Sequence, residues 1–527
     1  MFRLTSISLG ALVLAACGGG GGGDFNGNPP PPGTFTVGGS LSGLASNTSV
    51  VLQNNGGNNL TVSANGAFTF STSLATGAAY SVSVLTQPTG QTCTVSSGSG
   101  TIASASVTNV AVLCTPQIGK FLYVPNVGSN NVSAYSINAA TGALTAVAGS
   151  PFAADQAPSL GTADPAGKFL YVINQGSTSS PPRISSYAIN ATSGVLTQNL
   201  LSPFPVTNPP PPNGPTAFNK PIIHPSGQFG YVGNATTGSA ASGTLYGASA
   251  DANGTLTEIP GMPMFVGAGL GFGTFDAAGK FLYLPHNNFN FTQTGAVSVF
   301  QINTAAGTLQ SLGQFATGGV GPTFATLTPP GKFLLVAQNF NGAGSVAVFA
   351  VDAVSGTLTP VAGSPFSTGG IAVVVTAHPT KNFVYANSTA GTASAIAGFQ
   401  IDPNTGVLTP VAGSPFSTGG NGASFVRIDA SGKFLYVANS TSNTIQGFTI
   451  DQTTGALTPV PGAPMAADTT PLVTLDPSGR YLYSTNSGAN ANTIVSYAIN
   501  PTTGALTLVT RIATGTRPVA VEVVGRQ

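Results

Sequence analysis

The sequence predicts an all-β protein whose larger part is a β-propeller of four-stranded blades, and three observations carry that expectation. An aromatic strand signature recurs eight times between Phe121 and Tyr483, at a spacing of roughly 50 residues, the length of one four-stranded blade. Each signature is a run of β-formers without polar alternation, which marks strands buried on both faces, as when blades pack sheet on sheet. The last apolar segment, Pro518 to Val524, has the pattern of an inner strand but no repeat after it.

The signatures run from Phe121-Leu122-Tyr123-Val124 and Phe169-Leu170-Tyr171-Val172 to Phe434-Leu435-Tyr436-Val437 and Tyr481-Leu482-Tyr483. A second strand and an Asn/Asp turn ending in Gly follow each, in the form Asn/Asp-x-x-Thr-Gly or close to it, as at Asn138 to Gly142 and Asp402 to Gly406. Inner strands ending in a turn, such as Asp164-Pro165-Ala166-Gly167 and Asp476-Pro477-Ser478-Gly479, precede repeats two to eight, and repeat one has none of its own. The C-terminal strand is therefore expected to return as the inner strand of blade one, which closes the ring and leaves no open edge. Eight blades are predicted, with seven as the alternative if the divergent third repeat is an insertion.

Of the 527 residues, 42% are hydrophobic and only 5% charged, with a formal net charge of +1. Gly, Ser, Thr, Asn and β-branched residues alternating with aromatic strands favour an all-β extracytoplasmic protein. So small a charge offers no footprint for DNA or RNA, which excludes nucleic acid as a partner.

Met1-Phe2-Arg3 and the apolar run Leu4 to Ala16 have the n-region and h-region of a secretory signal, too short to span a bilayer comfortably. Leu14-Ala15-Ala16-Cys17 resembles the lipobox of bacterial lipoproteins, in which the cysteine is diacylated and becomes the new N-terminus. Two acyl chains anchor stably where one would be marginal. The resemblance implies a signal over 1–17, lipid on Cys17 as the membrane contact and, from Gly18 in the sorting position, the outer membrane, facing either the periplasm or the surface. A Gly/Pro-rich tether follows over 18–33.

Residues 34–117 alternate apolar and polar side chains, as in Tyr80-Ser81-Val82-Ser83-Val84, with turn signals such as Asn65-Gly66 between short runs. A small β-sandwich acting as a spacer is expected there, and the propeller is expected over 118–527. With Cys17 assigned to lipid, Cys93 and Cys114 remain for one disulfide in an oxidising compartment. No companion ligands for zinc lie in that segment, so no metal is expected, and no cofactor.

The units Gly-Lys-Phe-Leu-Tyr-Val, Ile401 to Gly406 and Asp476 to Tyr483 resemble the lactonase-type propeller family, which includes bacterial 6-phosphogluconolactonase and is usually seven-bladed. The similarity runs from Gly119 to the C-terminus and rests on turns and core strands, so it speaks for fold more than for chemistry. An eighth blade would depart from the family and put transfer of its pocket in doubt.

Propeller topology sorts the charges. Asp164, Asp276, Asp429 and Asp476 fall in turns between inner and second strands, where a carboxylate can accept backbone N–H groups, and His224 and His378 share that position. Lys120, Lys168, Lys280 and their equivalents precede the aromatic strand as solvated scaffold. On the opposite face, Asp155 and Asp468 occupy matching Ala-Ala-Asp contexts at the entries to blades two and eight, with Arg517 at the entry to blade one between them. Two carboxylates flanking a guanidinium could orient a polar ligand or position water for hydrolysis. Arg183, His286 and Asn288 lie in loops between second and third strands on that face and could add ligand contacts. The plainer reading is that Asp155 and Asp468 cap loops and Arg517 neutralises them. Asn-rich loops at Asn130-Asn131, Asn287-Asn288 and Asn439-Ser440 suit sugars or peptides, or simply turns, and Pro209 to Pro212 suits a polyproline-II contact or a stiff insertion.

Two functions follow. The first is a lipid-tethered binding or scaffolding propeller for a polar ligand, glycan or protein. The second is a lactone hydrolase in which Asp155 or Asp468 is the general base and Arg517 stabilises developing negative charge. Sugar-phosphate lactones are cytoplasmic, and the face offers few cations for a phosphate, so phosphogluconolactonase activity ranks low.

Overall fold

The computed structural model describes residues 33–525 except 46–47, 89, 178–179, 207–217, 235–242, 288–293, 341–342, 392 and 489–490. Cys17, the tether, the Pro209 to Pro212 run and Asn288 therefore lie outside the described residues.

Strands between Thr34 and Pro116 form two four-stranded sheets and a two-stranded ribbon. They enclose a core of Val37, Leu41, Val50, Leu52, Phe70 and Val110. Cys93 and Cys114 face each other on adjacent antiparallel strands and are joined by a disulfide. This module abuts the propeller at Gly90, which packs on the Pro477 carbonyl and Ala430, in inner-to-second-strand turns of blades eight and seven.

Beyond it the described residues form eight sheets, and in blades two to eight the inner strand comes first in the chain and the outer strand last. The second strands are the eight aromatic signatures, beginning Phe121–Asn126 and ending Tyr481–Asn486. Glu522–Val524 pairs antiparallel with Phe121–Asn126, so the C-terminal strand is the inner strand of the first blade. Buried clusters lie at every seam, including the one joining Leu122 and Val124 of the first blade to Tyr483 and Ile494 of the eighth. The third repeat is a blade in its own right, with four strands and packed neighbours on both sides.

The same contact recurs at all eight seams. The glycine that ends each Asn/Asp turn, at 142, 194, 254, 307, 356, 406, 455 and 504, has φ between +70° and +77° and lies against the first aromatic ring of the preceding blade. A Cβ on any of these glycines would fall under 3.0 Å from that ring, and the series closes with Gly142 of the first blade on Tyr481 of the eighth. Only glycine combines this φ with so close an approach. The turn is set by its first residue: Asn138 Oδ1 accepts the amides of Ala140 and Thr141, both at 3.0 Å. In four blades the tyrosine two residues after the aromatic also grips the same glycine: Tyr231 donates to the carbonyl of Gly307, and Tyr123, Tyr385 and Tyr436 donate to those of Gly194, Gly455 and Gly504 at 2.9, 2.8 and 2.7 Å.

On the face nearer the N-terminal module, the turn carboxylates and histidines serve the scaffold. Asp164 Oδ1 accepts the amides of Lys168 and Phe169 at 2.6 and 2.7 Å, and Asp476 accepts Gly119 N–H across the closing seam at 2.7 Å. His224 and His378 each bond a glycine carbonyl of the following blade, at Gly279 and Gly432.

Two predictions follow from these contacts. Gly455→Ala meets both the left-handed backbone and the Phe383 ring, whereas Gly462→Ala has the same sign of φ and nothing near its Cβ. Thermal or urea denaturation should show about 1 kcal/mol lost for Gly462→Ala and about 2–4 for Gly455→Ala; equal losses would remove the ring from the account. Burial lowers the His378 pKa from the ordinary histidine value, with the Gly432 carbonyl opposing and Lys381 adding to the effect. The unfolded chain therefore takes up the proton first, and the stability that neutral His378 contributes is lost as pH falls through about 6.5. Below that pH the wild type should lose up to about 1.4 kcal/mol per pH unit relative to His378→Thr, the residue that blade five carries at this turn as Thr328.

Candidate functional site

The face away from the N-terminal module is built from loops entering the inner strands and loops joining second to third strands. Beneath it lies a ring that sequence reasoning missed. The sixth residue of each aromatic strand is polar and buried: Asn126, Asn174, Asn234, His286, Gln338, Ser388, Asn439 and Asn486. Most of these side chains tie the strand to the loop entering their own blade's inner strand or to the adjacent third strand. Gln338, Ser388 and Asn439 bond the carbonyls of Thr317, Thr368 and Thr418. Asn126 and Asn174 donate to Ser133 and Ser185, both at 2.9 Å. The signal was available in the repeat, since every repeat carries a polar residue five positions after the first aromatic.

His286 belongs to this ring and not to an open loop. It is 1% exposed, with Nε2 2.9 Å from Ser298 Oγ and Nδ1 3.2 Å from the Asn287 carbonyl. Burial holds its pKa below the ordinary value, opposed in part by that carbonyl. It is not placed to meet a ligand from solvent. The loop asparagines are likewise engaged: Asn130 Oδ1 accepts Ala157 N–H and Asn131 Oδ1 accepts Asn126 Nδ2.

The expected carboxylate–guanidinium–carboxylate cluster does not assemble. Asp155 sits 3.7 Å from Arg183 Nε, an ion pair beyond hydrogen-bond range, and accepts Gln156 N–H at 2.8 Å. Asp468 is bound by Arg511, and also accepts Asn486 Nδ2 at 2.9 Å and Thr493 Oγ1 at 2.8 Å. Each carboxylate thus pairs within its own blade. Arg517 is exposed, has φ +54° and forms no ion pair among the described residues. Its role is backbone: its amide donates to Ala491 O and its carbonyl accepts Val127 N–H. Arg511 was missed because it lies on an outer strand, Leu506–Ala513, that runs unbroken where most blades divide theirs at a Ser-Pro-Phe or related segment. The absence of that segment from repeat eight is the readable sign.

The inner strands carry a further tier, one residue per blade opposite the third position of the aromatic strand. Five are threonine, at 162, 274, 326, 376 and 474, and the others are Ile222, Arg427 and Glu522. Lys220 Nζ meets Glu522 Oε2 at 2.8 Å, joining blades three and one across the channel side of blade two. Arg427 stacks over the Phe425 ring at 5.0 Å and donates to the Val426 carbonyl. Nearby, Phe425 lines a cavity of about 230 Å³ with Phe324, Phe272, Leu270 and Val374. Among the described residues, no group of three His, Cys, Asp or Glu could hold a metal.

Comparison with known proteins agrees with this architecture. Residues 75–209, 229–363 and 412–523 match the family described as lactonase, 7-bladed β-propeller. No curated protein sequence matches the chain. Among solved structures, a 6-phosphogluconolactonase candidate from Bacteroides uniformis is similar at 18% identity and TM-score 0.50, covering 77% of this chain and 99% of that one. The dihydro-heme d1 dehydrogenase NirN in complex with DHE is similar at 11% identity and TM-score 0.50, covering 77% and 75%. A periplasmic gluconolactonase of Pseudomonas aeruginosa aligns at 16% identity and TM-score 0.49, covering 77% and 99%. At these identities the likeness shows the fold alone. The family is described as seven-bladed and this chain forms eight four-stranded sheets in a closed ring, yet the match covers well over half its length: the chain belongs to the lactonase family of β-propellers.

Proposed function

We propose that the chain is a lipid-anchored extracytoplasmic propeller that binds a polar ligand, a glycan or a protein, and that it works as a binding or scaffolding module. The observation that carries this reading is the pairing of both candidate carboxylates on the free face. A general base needs a lone pair directed at a water or substrate proton. Asp468 spends its oxygens on Arg511, Asn486 and Thr493, and Asp155 lies 3.7 Å from Arg183 and accepts the Gln156 amide. The lipobox-like Leu14 to Cys17 supports acylation of Cys17, and the Gly that follows supports the outer membrane as destination. The N-terminal module abuts the opposite face of the propeller. That arrangement supports a ligand face turned away from the anchor.

Family membership favours a second reading, hydrolysis of a lactone other than a sugar phosphate. Asp155 or Asp468 would take a proton from water as that water attacks the lactone carbonyl, and the ring oxygen would leave to take up a proton. Arg183 or Arg511 would replace Arg517 beside the developing oxyanion, since each already lies against a carboxylate.

Two measurements test these readings. The full chain in detergent, assayed on a panel of γ- and δ-lactones, should show no turnover above the uncatalysed rate. Turnover that disappears in a folded Asp155→Asn/Asp468→Asn double variant would establish the enzyme instead. Expressed in a bacterial host fed an alkynyl fatty acid, the chain should be labelled and sediment with membranes, and Cys17→Ser should lose both properties; labelling that survives the substitution would contradict the anchor.

A further inference from the structure

We propose that the central channel holds a small amphiphilic carboxylate, its anionic group on the Arg427 guanidinium and its apolar body against Phe425, Phe324 and Phe272. This goes beyond the reading of the outer face and does not depend on it.

The first support is an unbalanced charge. Arg427 replaces the threonine that five other blades place at the same height of the inner strand. Its guanidinium contacts a phenyl ring and one backbone carbonyl at 3.3 Å, and it forms no ion pair among the described residues. The one carboxylate at that height, Glu522, is already bound to Lys220 and to the amide of Ala163 at 3.1 Å. With Lys220 just before the tier, two cations thus face the single carboxylate of Glu522, and burial lowers the Arg427 pKa from the ordinary arginine value. Arg427 is half-buried and lacks a counter-charge among the described residues, and a carboxylate would answer its guanidinium in bidentate geometry.

The second support is the apolar chamber beside it. Phe425 and Arg427 stand on the same side of their strand, with the guanidinium 5.0 Å from the ring centre. Phe425 lines the cavity of about 230 Å³, where Phe272 and Phe324 from blades four and five meet at 5.9 Å between ring centres. A cavity of that size and lining admits one aromatic ring or a short acyl chain. Cation and chamber meet at Phe425, so the class of ligand is a monocarboxylate with an apolar body.

The test is isothermal titration of the full chain in detergent with benzoate, 3-phenylpropionate and hexanoate, each beside its neutral amide. At least one acid should bind with one site per chain, and its amide should bind about tenfold or more weakly, as loss of a charge-assisted contact predicts. Arg427→Met should lose affinity by a similar factor, while Asp155→Asn/Asp468→Asn leaves it unchanged. If Arg427→Met fails to fold, the acid and amide pair on the wild-type chain still decides. The proposal is overturned if no acid binds, if acid and amide bind alike, or if folded Arg427→Met binds as the wild type does. Loss of binding in the outer-face double variant would overturn it too and return the ligand to that face.

Discussion

An aromatic ring pressed on a left-handed glycine joins every blade of this ring to the next, and most of the structure follows from that contact. The glycine ends an Asx-type turn whose first residue, Asn138 or its equivalents, fixes the backbone. The ring begins the second strand of the preceding blade, so each blade's outer turn reads its neighbour's core strand. Because Gly142 meets Tyr481 as Gly194 meets Phe121, the first and last repeats are joined by the same chemistry as any adjacent pair. Glu522–Val524 then supplies the missing inner strand, and no sheet edge is left open at the channel.

The same economy shapes the chemistry. A chain with 5% charged residues places nearly all of them in turns, at seams or in pairs. The carboxylates and histidines nearer the N-terminal module close turns and bridge blades. On the other face, Asp155 and Asp468 hold loops to arginines of their own blades, and buried amides at the sixth strand position bind those loops from below. Arg427 stands apart because the repeat calls for a neutral threonine there and the chain supplies a cation beside a phenyl-lined chamber.

Features repeated eight times were legible because each copy restates one constraint. The strand signatures, the Asn/Asp-x-x-Thr-Gly turns, the scaffold role of His224 and His378 and the return of the last strand could all be read from period and turn chemistry. The candidate site was read less well. Proximity of Asp155, Asp468 and Arg517 was inferred from their places in neighbouring entry loops, but side-chain reach within a blade decides such pairings. Arg183 and Arg511, on the third and outer strands of blades two and eight, lie closer to those carboxylates than Arg517 does. His286 was expected in a loop after the second strand, yet it lies within the strand Phe281–Asn287 and completes the buried polar ring. Arg427 was visible as a break in the threonine tier, but only after the register of the inner strands was known.

The most direct measurement is hydrogen exchange by mass spectrometry on the full chain and on a chain ending at Thr516. Closure of eight blades by the C-terminal strand predicts that truncation leaves Phe121–Asn126 with its inner side unpaired. Its amides, with those of Tyr481–Asn486 across the closing seam, should then exchange much faster than the matching strands of blades four to six. Unchanged protection of Phe121–Asn126 in the truncated chain would mean that another strand completes the first blade, and the ring described here would be wrong.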